Sequence, residues 1–483
     1  MKRTCHPEPR RGRRTPCWNP TTAPEAGGPS PSTRLRMTPV ALLLLIALSA
    51  CTVGPNYQRP AVPLPDHFYG ATSTADVEWF DLFQDPVLRG LVDEAVRNGF
   101  EPRIAAARVE EARARFGISE SLRYPEVDYQ VGIGRSRVNE ETSTRGGANV
   151  GVSWEVDLWG RIRRLNEAAR AQYLATEEGR RAVTLTLVAE VATAYFDLRA
   201  LDAELDIARR STAAFRDTRD LFNRRLEGGT ANAVETSRAE ALLANSAAVI
   251  PLLERAIVAT ENRLNFLVGR PPGPVARGAS LTDQPIPPSI PAGLPSALLL
   301  RRPDIRQSEQ LLIAANANIG VAQAAFYPSL SLTGLLGVAS PELSNLFDEG
   351  RTWSIQSSLL GPIFNAGRLR NQRRAAVAQF EQARINYEAD ITNALGEVST
   401  ALVSVDKLRE AEAERARAVR ANEEAVRLVT LRYESGLSAY FEVLDAMERL
   451  LAAENNLADT RRDRLIALVQ FYRALGGGWG GAT

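Results

Sequence analysis

Histidine occurs twice in the 483 residues, at His6 and His67, and cysteine three times, at Cys5, Cys17 and Cys51. That scarcity excludes His/Cys metal sites, Cys-His nucleophile pairs and a disulfide framework. A Ser/His/Asp site would have to run through His67, which lies in the Pro-rich stretch "PLPDHFYG" and reads as an exposed loop residue. The N-terminal apolar run is short too: Val40 to Leu48 falls short of the roughly 20 residues that span a bilayer as a helix. Proline is absent from Arg161 to Leu226 and again from Asn365 to the C-terminus. No basic patch with interleaved aromatics occurs, which argues against nucleic acid as a partner. Hydrophobic content of 45% is nonetheless enough for substantial packing.

The chain opens on a Pro- and Arg-rich stretch, then "TRLRMTPVALLLLIALSAC", with a basic region, an apolar region and small residues before Cys51. This pattern is an export signal. Met37 offers an alternative start, which would make residues 1–36 an N-terminal extension, although Arg34 and Arg36 suit the basic region. "LSAC", Leu48 to Cys51, resembles the lipobox of bacterial lipoproteins, which implies that Cys51 becomes the acylated first residue of the mature protein. An ordinary signal peptide ending near a cysteine is the alternative. Thr52 follows, not the aspartate that in many bacteria retains a lipoprotein at the inner membrane, so the outer membrane is the expected destination. Loss of residues 1–50 removes eight basic and two acidic side chains and leaves a mildly acidic mature chain.

The sequence repeats itself. "WGRIRRLNEAARAQ" (Trp159 to Gln172) aligns with "AGRLRNQRRAAVAQ" (Ala366 to Gln379), placing Gly160 on Gly367 at an offset of 207 residues. The same offset carries Gly229 onto Gly436, Glu235 onto Glu442, Arg238 onto Asp445 and Gly269 onto Gly476. Upstream, "RYPEVDYQVGIG" (Arg123 to Gly134) matches "FYPSLSLTGLLG" (Phe326 to Gly337). The chain is a tandem duplication whose copies are joined by "GRPPGPVARGASLTDQPIPPSIPAGLP", which reads as an extended linker rather than a packed element. The expected organisation is a signal peptide over 1–50, a lead-in over 51–86, a first repeat over 87–269, a Pro-rich linker over 270–295, a second repeat over 296–476 and a Gly-rich tail over 477–483.

Within each copy the periodicity changes in a fixed order. A helical segment (Val87 to Leu122; Ser296 to Ala325) ends at Tyr-Pro, because proline disfavours helix in the residue before it. A strand pair follows, over about 124–138 and 148–158, then about 327–340 and 352–364. Val127, Tyr129, Val131, Ile133 and Val150, Val152, Trp154, Val156, Leu158 alternate with polar residues or glycine, so these strands have one apolar and one polar face. Long helical hairpins over 161–268 and 368–476 complete the copies, with Gly229 and Gly436 at their tips. A proline-free stretch of about 66 residues makes a rod of roughly 100 Å. Strands of about nine to eleven residues with alternating faces suit a tilted membrane barrel, but four strands are too few to close one. The barrel must be shared, and three chains would supply twelve strands.

Lipobox, duplicated helix, strand pair and hairpin, "EWFDLFQDPVLRGLVDEA" (Glu78 to Ala95), "RRPDIRQSEQLLIAANANIGVAQAAFYPSLSLTG" (Arg301 to Gly334), "LRYESGLSAYFEVLDA" (Leu431 to Ala446) and "ALGGGW" (Ala474 to Trp479) together resemble the TolC-type outer-membrane efflux factors, in the lipoprotein branch containing OprM and NodT. The resemblance implies a mainly α fold with a membrane β-barrel: a homotrimer with a twelve-stranded barrel continued by an α-helical barrel. It implies residence in outer-membrane lipid with a large periplasmic part. It also implies partnership with a periplasmic adaptor (membrane fusion protein) and an inner-membrane pump of the RND type, and no cofactor beyond the covalent lipid on Cys51. Phe441 falls on an apolar constriction at the periplasmic gate, Asp445 on a ring aspartate and Glu442 on a second acidic position; Ser438 stands where some relatives carry a locking arginine.

Plainer readings compete at these positions. Glu442 sits in the first turn of a helix, where any carboxylate is favourable through the dipole, and its copy Glu235 suits a capping box with Asn232. Phe441 suits ordinary packing. A paired-carboxylate hydrolase lacks an accompanying histidine or phosphate loop, and a periplasmic coiled-coil adaptor or scaffold lipoprotein leaves the strand pairs unexplained. The duplication adds one expectation of its own: Arg238 and Asp445 occupy equivalent places on neighbouring hairpins and form a latch across the seam.

Overall fold

The computed structural model describes residues 52–65, 84–138, 141–284, 301–340 and 350–477. In chain order the elements are α1 (Pro86–Asn98), α2 (Phe100–Ser121), β1 (Glu126–Val138), β2 (Glu141–Val156), α3 (Arg161–Glu227), α4 (Ala233–Val268), α5 (Pro303–Ala324), β3 (Ser329–Ser340), β4 (Arg351–Leu360), α6 (Arg368–Glu434) and α7 (Tyr440–Ala474). The helix expected from Val87 to Leu122 is broken at Gly99. A Cβ there would lie 2.4 Å from the Ala95 carbonyl oxygen and 3.0 Å from that of Leu267, so only glycine lets the chain pass this close to the end of α4.

The duplication is visible in the backbone. Helices α3 and α6 are each 67 residues long, about 100 Å at 1.5 Å per residue. Each starts after a left-handed glycine, Gly160 (φ 78°) and Gly367 (φ 83°). Beside the sheet, α2, α3, α5 and α6 pack in that order; farther away the order is α4, α3, α7, α6. The two long helices thus run through both layers, and the shorter ones line up beside them.

The main core lies where α1, α3, α4 and α7 meet, around Leu88, Val191, Tyr195, Leu264 and Leu465. Val275 and Leu281 belong to it as well, which corrects part of the linker expectation. Residues 270–284 are packed: the Asn265 side chain donates to the Gly273 carbonyl at 2.6 Å, Arg277 pairs with Asp202 at 3.1 Å, and Gly278 N–H donates to the Tyr195 hydroxyl at 3.0 Å. Proline content alone does not make a linker when two apolar side chains reach a core. Residues 285–295 lie outside the described residues.

Four antiparallel strands form one sheet in the order β1-β2-β3-β4, so the two copies are joined through β2 and β3. Strand β2 begins at Glu141, earlier than expected, because the hairpin pairs close to its turn, Val138 with Glu141. Strand β4 stops at Leu360 rather than 364. Gly361 and Pro362 follow, and proline has no N–H to give to a ladder.

Candidate functional site

Pairing sets the composition of each sheet surface. Lateral rows read Val127–Val152–Gly334–Ile355, Tyr129–Val150–Leu336–Trp353 and Val156–Leu330–Leu359 on one face. The alternate rows read Glu126–Ser153–Thr333–Gln356, Asp128–Gly151–Leu335–Ser354 and Gln130–Asn149–Gly337–Thr352 on the other, with Leu335 as an apolar exception. The apolar face is bare. Tyr129 is 83% exposed, Val131 74%, Trp353 73% and Ile355 81%, an apolar surface far too continuous for water. Both outer edges, β1 and β4, keep unpaired backbone groups within the chain.

The sheet is tied to the helices at its foot. The Trp159 indole N–H donates to the Pro328 carbonyl at 2.8 Å, and its ring stacks on Tyr327. Thr52 packs on Gly160, where a Cβ would lie 2.7 Å from its Cγ2, and Val53 N–H donates to the Trp159 carbonyl at 3.0 Å. Cys51 itself lies outside the described residues, but its neighbour is therefore held where sheet meets helix. The following strap crosses both copies. Arg164 of α3 donates to the Gly54 carbonyl and to Asn56 Oδ1, while Arg59 donates to both oxygens of Glu309 on α5 at 2.6 Å and Tyr57 adds a third bond at 3.1 Å. Burial first, and then the Glu309 carboxylate, push the Tyr57 phenol well above its usual range.

Asp85 caps α1 and is almost fully buried. Its carboxylate accepts from Tyr195 Oη (2.7 Å), Gln284 Nε2 (2.8 Å), Ala279 N–H (3.1 Å) and the first turn of α1. Burial alone would raise this carboxyl, but the hydrogen bonds outweigh it and hold it below the usual carboxylate range. In the second copy Arg302 stands before α5 as Gly99 stands before α2, and it pairs with Asp304 at 2.6 Å and Glu397 at 2.8 Å and donates to the Ala474 carbonyl at 2.9 Å.

The hairpin tips have the same backbone. Gly229 (φ 70°) and Gly436 (φ 71°) take the left-handed conformation, and Thr230 N–H and Leu437 N–H each donate at 2.8 Å to the carbonyl of an arginine, Arg225 and Arg432. The side chains differ. Asn232 and Glu235 form the capping box at the start of α4; α7 starts at Ala439 with no side-chain cap. Phe441 is 58% exposed, Glu442 is exposed, and Asp445 is half-buried. Asp445 pairs with Arg449 on its own helix at 2.9 Å, and the Arg238 guanidinium lies 5.3 Å from the centre of the Phe441 ring. The expected Arg238–Asp445 latch is therefore not formed within the chain. Arg238 reaches α7 one turn nearer the tip, where the ring face takes the cation.

Sequence reasoning missed the aromatic knot beside these residues. Tyr440 meets Phe222 at 4.4 Å and Tyr433 at 4.7 Å, both edge-on, and its hydroxyl donates to Thr218 Oγ1 at 2.9 Å. It pins the second tip to α3. The signal was two tyrosines straddling the Ser435 to Ala439 turn, replaced in the first copy by Leu226 and Ala233. Tyr433 Oη and Ser438 Oγ are buried with no hydrogen-bond partner among the described residues.

An apolar sheet surface with two open edges, mounted on rods about 100 Å long, is a wall segment of a membrane conduit that one chain cannot close. The chain belongs to the outer membrane efflux protein family, whose model matches residues 91–270 and 294–477, once in each copy. It is 34% identical over 464 residues to the cation efflux system protein CusC of Escherichia coli O6:H1, covering 92% of this chain and all of the relative. It is 32% identical to the probable outer membrane lipoprotein SilC of Salmonella typhimurium, over 92% of this chain and 99% of that one. The crystal structure of the open state of the Neisseria gonorrhoeae MtrE outer membrane channel superposes with a TM-score of 0.81 at 33% identity, over 89% of this chain and 98% of that one. The chain is thus an outer-membrane exit duct for efflux, a conduit and not an enzyme, with a large periplasmic part.

Proposed function

We propose that three copies of this chain close into one tube, a twelve-stranded barrel in the outer membrane continued by a helical barrel in the periplasm. This tube receives substrates from a periplasmic adaptor and an inner-membrane pump of the RND type. The observation that carries the reading is the pair of matching open flanks. On one side lie β1, α2 and α4; on the other lie β4 and α6. Unpaired strand edges do not persist in lipid, so β4 of one copy must pair with β1 of the next, a head-to-tail contact that closes as a ring. Exposed apolar side chains on α4 (Val249, Leu252, Val258) and on α6 (Ile385, Val403, Leu428) sit on the same two flanks. Helix α4 is long and apolar enough to cross a membrane; in this reading its apolar surface is instead a subunit seam.

The acyl group on Cys51 enters the inner leaflet of the outer membrane, since Thr52 sits at the foot of the sheet. Phe441, Glu442 and Asp445 narrow the periplasmic mouth at the second tip, and the Gly229 and Gly436 turns form its rim. Extraction from outer membranes as a detergent-dependent, heat-labile trimer is expected, and recovery as a soluble periplasmic monomer would overturn the reading. A single acyl chain gives only marginal anchoring. Cys51→Ala behind a cleavable signal peptide should accordingly stay in the outer-membrane fraction on density gradients, with export modestly reduced.

A further inference from the structure

We propose that the outward face of the barrel carries, at each subunit seam, a binding site for the phosphate groups of a phosphorylated glycolipid of the outer leaflet, built from Arg135, Arg137 and Arg351. This inference rests on the closed-ring reading above. The apolar face of β1 runs through Val127, Tyr129, Val131 and Ile133, and the next two positions on that face are Arg135 and Arg137. On β4 the same face runs from Arg351 through Trp353 and Ile355, since Arg351 pairs with Val338, which pairs with Ala148 opposite Val131. All three arginines are exposed, and none has an ion-pair partner among the described residues.

Their height follows from topology. The helices join the sheet at Glu126, Val156, Ser329 and Leu360, so the ends of β1 and the start of β4 lie at the opposite margin, the extracellular one. A cation on the lipid face costs several kcal/mol at the bilayer midplane and almost nothing at the interface, and each of these three stands at the extracellular end of the apolar run of its own strand. The central strands carry no such charge on this face at this end: β2 presents Thr144, Gly146 and Ala148, and β3 presents Val338 and Ser340. Cations are thus confined to the two edge strands, and pairing β4 of one copy with β1 of the next brings all three to one seam. Guanidinium groups match phosphate oxygens in a two-point geometry, and basic pockets at membrane interfaces take anionic headgroups.

The test is native mass spectrometry of the intact, delipidated trimer titrated with one glycolipid bearing two, one or no phosphates. Affinity should fall with each phosphate removed. In the Arg135→Gln, Arg137→Gln, Arg351→Gln variant, affinity for the doubly phosphorylated form should fall about fivefold per arginine, on the order of a hundredfold in all. Replacement by lysine should retain part of it. Equal binding of the phosphate-free glycolipid by the wild-type trimer, undiminished binding by the variant, or competition by inorganic phosphate at matched concentration would each overturn the proposal. The wild-type phosphate series decides the matter even if the variant fails to assemble. A stable trimer without phosphate preference sinks this inference alone, whereas absence of a membrane trimer sinks the reading beneath it.

Discussion

The two hairpin tips share one backbone and hold different chemistry. Both turn through a left-handed glycine with the same hydrogen bonds, yet the first is closed by the Asn232–Glu235 capping box and the second begins uncapped at Ala439. The carboxylate that works as a cap in the first copy is left exposed in the second as Glu442. Where the first copy has Ala233 and Val234, the second has Tyr440, bound into an aromatic knot, and the exposed Phe441. Duplication thus preserved the fold of the tip while freeing one of its two versions from its stabilising duty. Away from the tips each copy has a buried charged centre of its own, at places that do not correspond: Asp85 gathers donors before α1, and Arg302 gathers acceptors before α5.

Breaking the Asp85 centre has the largest expected effect. Asp85→Ala leaves Tyr195, Gln284 and the first turn of α1 without their acceptor, at a cost of about 3 kcal/mol or more. The temperature at which the trimer dissociates should fall accordingly. Because the folded carboxyl is held below its unfolded value, its contribution is complete above the usual carboxylate range and is lost as pH falls through the lowered folded value. Asp85→Asn should therefore flatten the acid limb of a stability profile. An unchanged profile would show that this carboxylate does not fasten the core where α1, α3, α4 and α7 meet.

The tips come next. Combined Glu442→Ala and Asp445→Ala should lower cation over anion selectivity severalfold in planar bilayers, since a ring of like charge concentrates counter-ions. Glu235→Ala, the same change in the first copy, should leave selectivity alone and reduce tip stability. If both changes alter selectivity equally, the division of labour between the tips is wrong.

A subtler test exchanges their caps. Asn232→Ala should cost about 1 kcal/mol, read by hydrogen exchange in the first turn of α4. Ala439→Asn should stabilise α7 by a similar amount and draw the Glu442 carboxylate back onto the backbone, so cation selectivity should drop partway toward that of Glu442→Ala. The smallest effect belongs to Arg238. Arg238→Gln removes an exposed cation–ring contact worth about 0.5–1 kcal/mol and should loosen Phe441, changing single-channel conductance modestly. Because Asp445 is held by Arg449, the charge exchange Arg238→Glu with Asp445→Arg should not restore wild-type conductance. Full restoration would bring back the latch.

Periodicity and self-similarity were enough to read the duplication, the alternating strand faces, the glycine tips and the Asn232–Glu235 box, because each depends on residues a few positions apart. The helix break at Gly99 had a local signal, Pro102 in the first turn of α2, which has no N–H to continue the helix from α1; the close fit of Gly99 to the Leu267 carbonyl is visible only in space. The packed half of the Pro-rich join was equally hidden, because Asp85, Tyr195 and Arg277 come together only in space. At the tip the chemical types were legible and the pairings were not. Opposite charges at duplicated positions suggested a bond between Arg238 and Asp445, but within the chain Arg238 lies over the Phe441 ring and Asp445 pairs with Arg449 on its own helix.

By itself the sequence determined what each described stretch becomes: rod, two-faced strand or turn. Such outcomes follow from local spacing, from the helical repeat of 3.6 and the strand repeat of 2, and from where proline and glycine stand. Tertiary structure alone decided which face meets which neighbour, that β2 and β3 join the copies, and that β1 and β4 remain open. Those outcomes depend on the register between long elements distant in sequence, and a slip of one residue in a strand would exchange its apolar and polar surfaces without altering any local pattern.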